Sequence, residues 1–288
     1  MHAPRRVLVT GGSGLVGKYL VDLLAPDFEI EILDLRAPQQ KKLPFHRVDL
    51  LGEAGLDDAF AGCDAVVHLA GIPHPLKDPA NVVFATNTLS TRHVLDACAR
   101  NGVPRCVFLS SESTLGFAFS SSRLIPQYVP IDEAHPVLAH DPYGMSKLAC
   151  ERMCAETSSA GAVRTICLRA PWIWVPDAGE KRLYAGLIRE YEKWWKNLWA
   201  FIDIRDLGQA IARALRHPDP PRHAILFVSA AMNWTESDSR SLMERFYPET
   251  TRGVVNLRGN ESLINCKQAE TLLGFHPKFS PRDLLEAV

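Results

Sequence analysis

At 288 residues the chain is long enough for about two structural units of roughly 150 residues each. Hydrophobic residues make up 47% and charged residues 23%, which excludes a disordered, a collagen-like or a coiled-coil chain. Lys and Arg number 32 against 33 Asp and Glu, a net charge of −1 with no basic block, so a polyanion partner such as nucleic acid is excluded as well.

The N-terminal stretch Met1-His2-Ala3-Pro4-Arg5-Arg6 leads straight into a short apolar run, and no run approaches the ~18 to 20 apolar residues that span a bilayer. Neither an anchor nor a signal peptide is expected, and no membrane partner. Seven short runs rich in Val, Ile, Leu and Phe follow along the chain, at residues 7–10, 30–34, 46–48, 65–69, 106–109, 165–168 and 225–228. Longer segments of helical spacing separate them: Leu15, Tyr19 and Leu23 share a face, as do Val83, Asn87 and Val94, and residues 143–157 keep an apolar period near 3.6. This alternation predicts an α/β fold, a doubly wound parallel sheet joined by right-handed crossovers. After about Arg169, prolines at 171, 176, 218, 220, 221 and 248 punctuate shorter helices. The expected division is therefore a larger unit over 1–170 and a smaller region over 171–288, interleaved with the last strands.

Cys63, Cys98, Cys106, Cys150, Cys154, Cys167 and Cys266 are odd in number and scattered through apolar segments, as reduced core thiols are, which points to a cytoplasmic compartment. Cys150 and Cys154 share a helix face, yet no His or second Cys pair lies at ligand spacing, so no metal is expected.

Thr10-Gly11-Gly12-Ser13-Gly14-Leu15-Val16-Gly17 directly follows the first run and opens the first helix. Gly11, Gly14 and Gly17 permit a tight turn, let the backbone approach a pyrophosphate and let helix meet strand closely. With Ser13, Leu15 and Val16 they form the expected dinucleotide-binding loop; the plainer alternative is a Gly-rich turn that packs two elements. Asp34 closes the second run some 20 residues later, where a carboxylate accepts both ribose hydroxyls and repels a 2′-phosphate, so NAD is favoured over NADP. Arg36 can stack on adenine or tolerate that phosphate. Asp49 and Leu50 are placed for the adenine edge, with a turn cap as the alternative for Asp49. Leu69, Ala70 and Gly71, after His68, pass beneath the cofactor ribose.

Tyr143-Gly144-Met145-Ser146-Lys147 places a phenol and an ammonium four apart, on one helix face. A unit charge about 4 Å away at an effective dielectric of about 20 is worth roughly 4 kcal/mol, about three pK units, enough to bring Tyr143 towards a working pH. The fifth run ends in Ser110-Ser111-Glu112-Ser113-Thr114, at the strand end where such sheets hold ligands.

Taken together, the glycine loop, Asp34, His68-Leu69-Ala70-Gly71, Asn87, Ser110-Ser111 and Tyr143-Gly144-x-Ser146-Lys147 resemble the extended short-chain dehydrogenase/reductase family, over residues 7–206. The resemblance implies a Rossmann domain over 1–170, a substrate-binding region over 171–288 and a Ser-Tyr-Lys apparatus of Ser111, Tyr143 and Lys147. Ser110 and Ser113 remain alternatives to Ser111. It also implies that Tyr143 exchanges the proton, that Lys147 holds the nicotinamide ribose, and that Asn87 keeps its helix and the proton path in order. A buried amide satisfying backbone is the other reading of Asn87. Glu112, Ser113 and Trp172 are candidate substrate contacts beside Ser111, and relatives pair as homodimers through the helices near 90–100 and 143–157.

Two departures bear on the substrate. Trp172 in Arg169-Ala170-Pro171-Trp172 stands where nucleotide-sugar relatives carry Asn, and the shortness of the C-terminal part, with Ser110-Ser111-x-x-Thr114-x-Gly116, is similar to uronate dehydrogenase-like members. Residues 183–198 read as one amphipathic helix, either a lid or core. The expected function is NAD(P)-dependent hydride transfer at a hydroxyl or carbonyl of a small, sugar-like substrate. The rivals are a sugar 4-epimerase and a catalytically silent dinucleotide sensor.

Overall fold

The apolar runs all lie in or at the ends of strands of one parallel sheet in the computed structural model, which describes residues 4–39, 43–161, 163–250 and 257–286. These strands are β1 (Arg6–Thr10), β2 (Glu29–Asp34), β3 (Phe45–Arg47), β4 (Ala65–His68), β5 (Arg105–Ser111), β6 (Arg164–Ala170) and β9 (His223–Phe227). Two further strands, β7 (Trp172–Trp174) and β8 (Phe201–Asp203), form a small parallel sheet of their own. Helices α1 (Leu15–Leu24), α2 (Leu56–Phe60), α3 (Ala80–Arg100), α4 (Pro142–Ser159), α5 (Ala178–Arg189) and α6 (Ile204–Arg216) run between strands. After β9 come α7 (Ser239–Phe246), α8 (Lys267–Leu273) and α9 (Pro281–Leu285).

The large sheet has the order β3-β2-β1-β4-β5-β6-β9, so the winding reverses between β1 and β4. Strand side chains alternate faces. Val7 and Val9 of β1 pack in one cluster with Leu20 and Leu24 of α1 and Leu207 and Ile211 of α6, whereas Leu8 packs in another with Val94 of α3 and Cys150 of α4. Both faces are covered by helices, which is why the strands read as unbroken apolar runs rather than as alternating ones. The seven cysteines are free, and Cys150 and Cys154 are buried in the second of these clusters.

A third cluster is aromatic and gathers Trp174, Trp199, Trp234, Tyr184 and Tyr247. Trp174 stacks on Tyr184 with ring centroids 4.3 Å apart. The continuous helix expected over 183–198 is not found: α5 ends at Arg189, and a 3-10 stretch, Tyr191–Asn197, follows with Trp194 off helical geometry. The aromatic cluster is the cause. Trp199 Nε1 takes the Tyr191 carbonyl at 2.8 Å, an acceptor that a continuing helix would use, and the Tyr247 hydroxyl joins the Leu198 N–H on the Trp195 carbonyl, at 2.6 and 3.0 Å. Tyr191, Trp194 and Trp195 pack against the cluster as its partly buried edge. Among the described residues no helix is long and apolar enough to cross a membrane.

Candidate functional site

Parallel strands bring the ends of β1, β2, β4 and β5 to one edge of the sheet, and the predicted loops leave from that edge. After β1 the chain turns through Gly11 at φ +73°, where a Cβ would lie 2.7 Å from the Ala70 nitrogen. A Cβ on Gly17 would lie 2.2 Å from the Gly11 carbonyl oxygen, so α1 can start this close to the strand only with hydrogen there. Helix α1 begins at Leu15 behind Gly14 with no side-chain cap, which leaves first-turn N–H groups and the positive dipole end for an anion. Leu15 is exposed, and Val16 packs on the core beneath. The Ser13 hydroxyl is buried without a hydrogen-bond partner.

Asp34 reaches this loop. One carboxylate oxygen accepts the Ser13 N–H at 3.0 Å and the other the Arg36 N–H at 3.1 Å. Ser13, Gly14, Leu15, Lys18, Arg36 and Ala37 border a cavity of about 280 Å³. Its rim is tied by an ion pair of Lys18 with Asp177 at 3.2 Å. The uncapped helix start, the orphaned Ser13 hydroxyl and the Cβ-free cradle fit a dinucleotide phosphate group.

Asp49 and Leu50 lie elsewhere in character. Asp49 is exposed and caps its turn through the Leu51 N–H at 2.9 Å, while Leu50 is buried in the core. Leu69, Ala70 and Gly71 follow β4 directly beside the glycine loop, held by the Leu69 N–H on the Thr10 carbonyl at 3.1 Å. Beneath them His68 bridges Thr10 Oγ1 at 2.7 Å and Thr91 Oγ1 at 3.1 Å, and burial, helped by the Lys147 charge, pushes its pKa down to about 3.

Asn87 joins three elements. Its Oδ1 accepts the Ile72 N–H at 2.7 Å, and its Nδ2 donates to the Ile72 carbonyl at 3.1 Å and to Ser146 Oγ at 2.9 Å. The amide thus ties α3 to the loop after β4 and to α4.

Helix α4 carries the phenol and the ammonium. Asp141 caps it, accepting the Tyr143 and Gly144 N–H groups at 3.0 and 2.9 Å, and Pro142 occupies the first helical position. Lys147 donates to the Leu109 carbonyl at 2.8 Å, and its Nζ lies 5.7 Å from the Tyr143 ring centroid. Both groups are buried, and burial governs both: it pushes the phenol above its ordinary value, against a hydrogen bond with Ser111, and lowers the ammonium. The expected downward pull of Lys147 on Tyr143 is therefore not the ruling influence, because the ammonium faces a carbonyl and the pair is desolvated.

Ser111 ends β5 beside Tyr143. Its Oγ caps the 3-10 turn Glu112–Leu115, accepting the Ser113 N–H at 3.1 Å. Ser110 points elsewhere, donating to Glu151 Oε1 at 2.6 Å. Burial and the charge of Asp141 raise Glu112 to about 8, against a hydrogen bond with Ser113. Trp172 is partly buried between Tyr184 and Trp194, at 6.5 and 5.5 Å between ring centroids. Sequence reasoning missed Asp141, although Asp-Pro at a helix start signals a cap. It also missed Phe119, which meets Tyr143 edge-on at 6.1 Å from a loop without periodicity.

The profile of the NAD dependent epimerase/dehydratase family matches residues 7–228. The chain is 33% identical over 178 residues to the UDP-glucose 4-epimerase of Azospirillum brasilense, covering 58% of this chain and 49% of that protein. It is 31% identical over 182 residues to the N-acetyl-alpha-D-glucosaminyl-diphospho-ditrans,octacis-undecaprenol 4-epimerase of Escherichia coli O157:H7, covering 62% and 51%. The chain thus spans about half the length of the curated relatives it matches. Among solved structures, MoeE5 in complex with UDP-glucuronic acid and NAD superposes with a TM-score of 0.71 at 23% identity, covering 98% of this chain and 96% of that one. A mutated uronate dehydrogenase superposes with a TM-score of 0.70 at 20% identity, covering 98% and 85%. At these identities the superpositions show a shared fold.

Proposed function

Because this chain belongs to the NAD dependent epimerase/dehydratase family, we propose that it is an NAD-dependent oxidoreductase acting on a hydroxyl or carbonyl of a small, sugar-like substrate. The observation that carries this reading is Ser111, Tyr143 and Lys147 meeting at the sheet edge from which the glycine loop also leaves. NAD, when bound, supplies the nicotinamide that takes up or returns hydride. The first-turn N–H groups of α1 and the Ser13 hydroxyl hold the pyrophosphate, and Asp34 accepts the adenosine ribose hydroxyls. Gly71 and Asn87 border the ribose further in. Tyr143 exchanges the proton of the reacting oxygen, Ser111 hydrogen-bonds that oxygen, and Lys147 holds the nicotinamide ribose. Residues 1–170 carry the dinucleotide and residues 171–288 the substrate.

Tyr143→Phe is the test. With NAD and a panel of uronic acids and free sugars, turnover is expected to fall on the order of 10²- to 10⁴-fold while dinucleotide affinity is kept. A variant running at the wild-type rate overturns the assignment.

A second reading, a sugar 4-epimerase, is favoured by the names of the matched relatives. Trp172, in contact with Trp194 where nucleotide-sugar relatives carry Asn, favours the dehydrogenase. Mass spectrometry of the denatured purified protein separates them: stoichiometric, non-exchanging NAD supports the epimerase, and reversible uptake supports the dehydrogenase. We read the protein as a cytoplasmic homodimer that pairs through α3 and α4, whose Phe84, Leu89 and Met145 are exposed.

A further inference from the structure

Side chains from three elements meet two turns along α4 from Tyr143. Ser110 of β5 and Arg169 of β6 are partners in register across neighbouring strands, and both reach Glu151 of α4. Ser110 Oγ donates to Glu151 Oε1 at 2.6 Å, Arg169 Nε donates to the same oxygen at 2.9 Å, and Arg169 Nη2 donates to Oε2 at 2.7 Å. All three residues are buried. The guanidinium also lies over the ring of Phe227, its register partner in β9, 5.4 Å from the centroid.

Each element carries a candidate site residue a short step further on. In β5 it is Ser111, the next residue, and beyond β6 it is Trp172, three residues on. On α4, Lys147 and Tyr143 lie one and two turns back along the same face. Two further contacts hold α4 to β5. Lys147 Nζ donates to the Leu109 carbonyl at 2.8 Å, and a Cβ on Gly144 would lie 2.6 Å from the Ser113 carbonyl oxygen. The first is a single bond from a rotatable ammonium and the second a packing contact. A carboxylate gripped on both oxygens by a planar guanidinium fixes direction as well as distance.

We infer that Glu151 is a positioning residue for the reaction: gripping Ser110 and Arg169, it sets Tyr143 and Lys147 on α4 against Ser111 on β5. The inference rests on reading Tyr143 as the acid–base group, and it places Ser110 behind Ser111 rather than on the substrate. Glu151 acts without touching substrate or dinucleotide. Reacting groups work when held within about 0.5 Å of their productive places, and a displacement of about 1 Å costs on the order of 10²-fold in rate. Buried ion pairs are often replaced by apolar side chains without loss of stability, so the distinctive contribution of this one is direction.

The far end of α4 supplies a comparison. Ser158 Oγ and Thr165 Oγ1, both buried and 2.8 Å apart, tie the same helix to β6 away from the site. Ser110→Ala and Ser158→Ala each delete one buried hydrogen bond between α4 and the sheet, and only the first touches Glu151. Ser110→Ala is expected to lower turnover of the best uronic acid or sugar in the panel on the order of tenfold, with KM and NAD affinity unchanged, whereas Ser158→Ala runs at the wild-type rate. The double variant Glu151→Leu with Arg169→Met is expected to lose on the order of 10²-fold. Adding Ser110→Ala to it is expected to cost nothing more, because both changes cut one tie.

A second measurement needs no substrate. In full-length protein carrying ring-¹³C tyrosine, the Tyr143 signal, assigned by its loss in Tyr143→Phe, is expected to move or broaden in Ser110→Ala and in the double variant and to stay in place in Ser158→Ala. A Tyr143 signal that stays in place in Ser110→Ala overturns the inference. So do wild-type turnover in that variant, an equal fall in Ser158→Ala, or a further fall when Ser110→Ala joins the double variant. Ser110→Ala decides by itself if the double variant fails to fold. Tyr143→Phe inactive with Ser110→Ala at full rate removes the positioning role alone; an active Tyr143→Phe removes the catalytic reading beneath it.

Discussion

Arg169 and Glu151 face each other as a two-pronged ion pair between β6 and α4, Nε to Oε1 at 2.9 Å and Nη2 to Oε2 at 2.7 Å. Their side chains are 5% and 4% exposed, and Ser110 supplies a further hydrogen bond to Oε1 at 2.6 Å. Removing one partner strands a buried charge, which typically costs about 3 to 5 kcal/mol. Glu151→Leu is therefore expected to lower stability by that amount, and the double variant Glu151→Leu with Arg169→Met to recover most of it. Urea unfolding of the three proteins checks this; equal losses in single and double variants would refute it.

Gly17→Ala is expected to weaken dinucleotide binding by on the order of tenfold or more, about 1.4 kcal/mol per decade. The added carbon would meet the Gly11 carbonyl at 2.2 Å, and the start of α1 must move away from the loop to admit it. Calorimetric titration with NAD gives the answer, and unchanged affinity would show that the cradle is not the phosphate site.

His68 sets a pH dependence of stability. It is neutral in the folded protein, held down to about 3 by burial, whereas the unfolded side chain protonates near its ordinary 6.5. Its contribution is complete above pH 6.5 and is lost as pH falls towards 3, because unfolding takes up a proton throughout that window. Between pH 7.5 and 4.5 the wild type is expected to lose on the order of 2 to 3 kcal/mol more than His68→Gln does. Parallel losses in chemical denaturation would locate the effect elsewhere.

Asp34→Asn bears on cofactor choice. The carboxylate ties the Ser13 and Arg36 backbone to the end of β2 and would lie against a 2′-phosphate. Wild type is expected to prefer NAD, and the variant to narrow the NAD to NADP affinity ratio by on the order of tenfold, with Arg36 beside the freed site. Titrations with both dinucleotides decide, and an unchanged ratio would mean that Asp34 does not govern it.

The sheet was legible because its strands are buried on both faces, so residues 7–10 or 106–109 announce themselves as unbroken apolar runs. The glycine loop was legible because hydrogen at Gly17 leaves a chemical trace in the sequence. The pair β7 and β8 was not, being three residues each and set by tertiary pairing of Trp172 with Phe201. Residues 191–197 defeated periodicity for a similar reason, since the Tyr191 carbonyl is claimed by Trp199 from outside the segment and the Tyr247 hydroxyl joins the Leu198 N–H on that of Trp195. At the site, the four-residue spacing of Tyr143 and Lys147 was visible. Their electrostatics were not, because desolvation depends on what surrounds them. Nor could spacing show that Ser111 turns its hydroxyl to Ser113 while Ser110 turns to Glu151.

Strand β9 carries a consequence for synthesis. It pairs with β6 along Thr165 to Arg169, yet it leaves the ribosome more than fifty residues later. Until then the nascent chain presents β6 as an open edge whose backbone groups await partners, with Cys167 and Leu168 ready to pair with any strand at hand. Completion of the sheet is thus tied to emergence of residues 171–222, and a polypeptide halted at 170 would carry the glycine loop, Tyr143 and Lys147 on a sheet still open to self-association.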